Sequence, residues 1–88
     1  MDELRAIAVS SKANRRIYGS NIRVRRLTLR LYQKDIAEAL GTTEARISRV
    51  ESGESGLFFE EANKLCEVLS IEDPKVLLEK DYFIGNGK

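Results

Sequence analysis

The sequence predicts an all-α domain, on three observations. Apolar residues recur three and four apart along most of the 88 residues, the spacing that puts them on one face of a helix. Helix stop and start residues interrupt that pattern where turns belong, Gly41 before Thr43 and Asp73 before Pro74. The length suits one small domain with a single modest core, and the chain has no repeat, no low-complexity tract and no long linker.

Taken in order, Asp2 caps a leading segment carrying Leu4, Ile7, Ala8 and Ile17, which closes at Tyr18-Gly19. Ser20 caps the next helix, with Ile22, Arg26, Leu27 and Leu29, ending near Leu31. From Gln33 a further helix places Ile36 and Leu40 on one face, with Ala37 beside it, where a larger side chain would push neighbouring helices apart. Gly41 follows where a helix C-terminus needs a left-handed residue. Thr43 caps the next helix by accepting from the amide of Ala45 or Arg46, and Glu44 adds negative charge to its positive end. Ile47 and Val50 share the buried face of that helix. Gln33, Ala37, Gly41, Ile47 and Val50 together have the spacing of a helix-turn-helix, which makes sequence-specific DNA binding the leading reading and an ordinary helical hairpin its bland alternative. Residues 53 to 56 form a loop, and residues 59 to 69 repeat the helical pattern with Phe59, Ala62, Leu65, Cys66 and Leu69. Asp73-Pro74 starts a last helix with Val76, Leu77, Leu78, Tyr82 and Phe83, and residues 85 to 88 fray. The expected division is an N-terminal extension, helix or basic arm, over residues 1–19, the DNA-binding domain over 20–84, and a tail over 85–88.

Composition removes several functions. With no His and one Cys there is no His-based catalytic set and no Cys/His metal cluster, so neither an enzyme nor a cofactor or metal is expected. Cys66 reads as a small core residue within an apolar helical stretch. No secretory signal and no membrane-spanning apolar run are seen, which points to the cytoplasm of a bacterial or phage-infected cell and to no membrane partner. The net charge of +1 hides an asymmetry: residues 1–49 hold eleven Lys or Arg and five acids, whereas residues 50–88 hold four and nine. Only the basic half, which contains the helix-turn-helix, is suited to phosphates.

Helix geometry places the recognition surface. At about 100° per residue, a helix burying Ile47 and Val50 turns Ala45, Ser48, Arg49 and Ser52 outward, with Glu44 and Arg46 on the flanks. Such a helix enters the major groove by its N-terminal end. Glu44 suits a cytosine amino group, Ala45 a thymine methyl, and Arg46 or Arg49 a guanine or a phosphate, with the choice between the two arginines left open. Phosphate positioning falls to Gln33, at a helix start with free N–H groups, and to the hydroxyls of Thr43, Ser48 and Ser52. Arg15 and Arg16 read either as a DNA-tracking arm or as a solvated basic helix end.

From Ile22 to about Leu78 the chain resembles the lambda-repressor/Cro-like (XRE-type) helix-turn-helix domains of lambdoid phage repressors, Cro proteins and related bacterial regulators. The similar residues are Arg26-Leu27, Leu29, Leu31, Gln33, Ala37, Gly41-Thr42-Thr43, Ile47, Glu51, Gly53, Leu65, Leu69 and Ile71. The resemblance implies a compact five-helix domain with a central helix-turn-helix, binding operator DNA as a symmetric dimer. It also implies a phosphate contact for Gln33 and an ion pair between Arg26 and Glu51. The chain departs from the pattern in four places: Arg30 stands where a helix-ending Gly is usual, Thr42 replaces a common Val, the three residues Glu54-Ser55-Gly56 fill a loop that is often basic, and Phe58 replaces a polar cap. Residues 1–19 have no counterpart.

The resulting expectation is a transcriptional regulator, a repressor by its resemblance, on a palindromic double-stranded operator. Val76, Leu77, Tyr82, Phe83 and Ile84 supply surplus apolar surface for the homodimer. Two alternatives carry a protein partner: an antitoxin-like DNA-binding adaptor using Phe58, Tyr82, Phe83 and Ile84, and an interaction module that has lost DNA binding, suggested by Glu44 and Glu54.

Overall fold

The computed structural model describes Ile7 and residues 11–86. Its elements are α1 (Lys12–Thr28), α2 (Gln33–Leu40), α3 (Glu44–Ser52), α4 (Phe59–Val68), a 3-10 turn (Pro74–Leu78) and α5 (Tyr82–Asn86). All regular structure among the described residues is thus helical, as the sequence predicts, and no helix among them is long and apolar enough to cross a membrane.

The largest difference from the sequence reading is in α1. Its N-cap is Ser11, whose side chain accepts from the Asn14 amide at 3.3 Å, and it continues without a break through Tyr18-Gly19 to Thr28. No new helix starts at Ser20, so the expected boundary between residues 19 and 20 falls inside one element. Gly19 serves contact rather than termination: a Cβ there would lie 2.4 Å from the Val50 carbonyl oxygen and 2.7 Å from that of Glu51. α1 therefore rests directly on the backbone of α3. Asp2, Leu4 and Ala8 lie outside the described residues, while Ile7 is fully buried with Tyr18 and Ile22. The end of α1 comes earlier than Leu31, because Arg30 turns the chain at φ +60°, letting the Leu31 amide reach back to the Arg26 carbonyl.

The pair α2 and α3 forms as expected. Gly41 takes φ +71° at the end of α2, and the Thr43 hydroxyl accepts the Arg46 amide at 3.1 Å to start α3. Ile36, Ala37, Ile47 and Val50 are buried between them and α1. After Gly53 and its loop, α4 begins where the Glu61 carboxylate accepts the Phe58 amide at 2.9 Å, and it buries Ala62, Leu65 and Cys66 while Phe59 stays at the surface.

The C-terminal segment is two short elements instead of one helix. Asp73 accepts the Lys75 amide at 3.1 Å and opens the 3-10 turn, and Asp81, at φ +58°, separates that turn from α5. Asn21, buried on α1, donates through Nδ2 to the carbonyls of Leu77 at 2.9 Å and Glu79 at 2.8 Å, which fastens the segment to α1. Arg25 donates to the Leu69 carbonyl at 2.9 Å and lies 5.5 Å from the Phe83 ring centroid. In consequence Leu77 and Phe83 belong to this chain's own core, and the expectation that they face a second copy does not hold. α5 extends to Asn86, two residues into the tail expected to fray.

Candidate nucleic-acid interface

Along α3, Ile47, Val50 and Glu51 point inward, and Glu44, Ala45, Ser48, Arg49 and Ser52 are exposed. Packing against two helices explains the division: α1 holds the C-terminal half of α3 through Gly19, and α2 crosses it through Ile36 and Ala37. One continuous strip of α3 is left to solvent. It carries one carboxylate at the positive helix start and one guanidinium in the last turn, and neither makes a side-chain bond among the described residues.

Beneath that strip a buried polar cluster sets the angle between the helices. Arg26 on α1 and Glu51 on α3 pair twice, Nε to Oε2 at 2.7 Å and Nη2 to Oε1 at 3.0 Å, with side chains only 8% and 3% exposed. The remaining Arg26 nitrogen, Nη1, donates to the Leu31 carbonyl at 2.9 Å, and Gln33 Nε2 donates to Glu51 Oε1 at 3.1 Å. Gln33 is therefore held at the first position of α2 with one amide hydrogen still free to donate outward, beside backbone N–H groups that have no partner within the helix. The cluster links α1, the start of α2 and the end of α3.

Other expected site residues are differently occupied. Arg46 donates to both carboxylate oxygens of Glu61 and to the Gly56 carbonyl, so it faces α4 and not the open strip. Ser52 points its hydroxyl at the Arg49 carbonyl (3.1 Å) and the Glu54 carboxylate (3.0 Å), which occupies its single hydrogen and places negative charge beside it. A phosphate contact there is disfavoured on both counts. Arg15 and Arg16 are not an arm, because both lie within α1; Arg15 Nε donates to the Gly53 carbonyl at the end of α3, and the Arg16 stem packs over Gly53. Thr43 caps α3 as expected, and Ser48 is exposed.

Sequence reasoning passed over two residues of this region. Tyr32, immediately before Gln33, is 76% exposed, and its amide donates to Asp35 at 2.7 Å. An aromatic at a helix cap position, where a small polar residue is usual, was the available signal. Glu61 is the second, fifteen residues from the arginine it holds, a separation at which sequence spacing carries no information. Cys66 is buried as expected, and burial pushes its thiol up from 9.0 to about 11, far from the thiolate that nucleophilic or redox chemistry needs.

Comparison with known proteins agrees with this geometry. A family model described as a helix-turn-helix domain matches residues 17–77, from the second turn of α1 to the 3-10 turn. Nothing significant is matched among curated proteins or solved structures.

Proposed function

Since the chain belongs to the family of helix-turn-helix domains, we propose that it is a sequence-specific DNA-binding transcriptional regulator that sets α3 in the major groove. The observation that carries this reading is the bare strip Glu44, Ala45, Ser48 and Arg49 on a helix whose other sides are packed. Glu44, Ala45 and Arg49 meet base edges, while Gln33, Thr43 and Ser48 grip phosphates on either side. Tyr32 lies at the same helix start as Gln33 and extends that edge.

The finer part of the reading is repression from a palindromic operator by two copies. A symmetric pair would hold its recognition helices about 34–36 Å apart, one turn of duplex. With Leu77 and Phe83 turned inward, the apolar side chains still reaching the surface at the C-terminal end are Ile84, 69% exposed, and the half-buried Val76, Leu78 and Tyr82. Selection of bound duplexes from a random-sequence pool tests both levels. A recovered consensus with two-fold symmetry is the expected result; an asymmetric consensus removes the symmetric dimer, and recovery of no consensus removes sequence-specific binding.

A further inference from the structure

Arg46 sits in the first turns of α3, where a base-reading cation would be useful, yet its guanidinium is engaged inside the protein. Nη1 and Nη2 donate to the two Glu61 carboxylate oxygens at 3.0 and 2.8 Å, Nη2 also donates to the Gly56 carbonyl at 2.8 Å, and the group lies 5.4 Å from the Phe58 ring centroid. The two charged side chains are 19% and 14% exposed, so water and salt screen them poorly. A bidentate arginine–carboxylate pair is the strong form of this interaction. For Arg46 to reach DNA it would have to break these contacts and strand the Glu61 carboxylate without its partner, a costly state where water is scarce. Arg49, three residues further on, is exposed and carries no such restraint.

Resting on the DNA-binding reading above, we propose that Glu61 is a positioning residue that withholds Arg46 from the duplex, so that Arg49 is the α3 arginine that contacts DNA. Because the same carboxylate accepts the Phe58 amide, one side chain both starts α4 and removes a cation from the recognition helix. The strip that reads DNA is thereby restricted to Glu44, Ala45, Ser48 and Arg49.

The test compares four proteins, the parent, Glu61→Gln, Arg46→Gln and the double variant, titrated with a duplex selected from the random pool between about 50 and 200 mM salt. Glutamine keeps an oxygen for the Phe58 amide, and thermal melts confirm that each protein is folded. Each phosphate newly neutralised steepens the slope of log K against log salt by about 0.9. Glu61→Gln is expected to steepen it by about that amount, Arg46→Gln to leave the parent slope in place, and the double variant to return to it. In the unmodified protein, the Arg49 Nε resonance is expected to shift on adding duplex while that of Arg46 stays. A parent that binds duplex but loses about 0.9 of slope in Arg46→Gln, gains none in Glu61→Gln, or shifts both resonances alike overturns the proposal alone. A parent that binds no duplex overturns the DNA reading together with it.

Discussion

Glu51 has three hydrogen-bond donors around it and almost no water, which makes it the most consequential single side chain in the described residues. Removing one member of a buried pair leaves the other charge desolvated and uncompensated. Glu51→Ala should accordingly lower the unfolding free energy by about 3–5 kcal/mol, read by urea denaturation; a loss below about 1 kcal/mol, the range of a surface pair, would mean that water enters the cluster. Arg30 offers the opposite sign. It is a non-glycine residue at φ +60°, a conformation that costs an L-residue about 1–2 kcal/mol and a glycine little. Arg30→Gly should raise stability by about 0.5–1 kcal/mol after the extra freedom of the unfolded chain is subtracted. A lower melting temperature in that variant would indicate that the Arg30 side chain contributes more than its backbone costs.

Helices meet here through glycine and capping rather than through large apolar area alone. Gly19→Ala makes the point measurable, since alanine favours a helix interior by about 1 kcal/mol over glycine. At this position the added methyl would strike the α3 backbone instead of a yielding side chain, so the variant should lose about 1–3 kcal/mol. A gain in stability would show that α1 can move off α3 at little cost. The same residue explains what could be read from the chain and what could not. Gly41, Thr43 and Asp73 act through neighbours two to four residues away, and each caps its element as the sequence predicts. Gly19 acts through residues 50 and 51, and a reader limited to local signals mistakes it for a stop. Likewise Asn21 reaches residues 77 and 79, Arg15 reaches Gly53, and Arg46 reaches Glu61, none of which any helical period connects. The outward strip of α3 was legible because it depends on one helix and its buried side; the withdrawal of Arg46 from its flank was not.

Across the whole molecule the basic half is less available to phosphates than its charge suggests. Arg15, Arg25, Arg26 and Arg46 all donate to carbonyls or carboxylates of this chain, several at helix ends where a cation is favoured. Arg49 and Lys34, by contrast, are exposed. Assembly is the second property at this scale. If two copies associate through the exposed end of α5, Ile84→Asp should yield a monomer by sedimentation with an unchanged melting profile; a variant that sediments as the parent does moves any interface elsewhere. Recognition by the bare strip of α3 is tested most directly by titrating the parent, Arg49→Ala and Gln33→Ala against the selected duplex and its single-base-pair variants. Base reading by Arg49 predicts a loss of about 1–3 kcal/mol on the selected duplex and relaxed preference at one base pair per half-site, whereas Gln33→Ala should weaken every duplex by a similar factor. An even loss across all duplexes in Arg49→Ala, with every base preference intact, would contradict it.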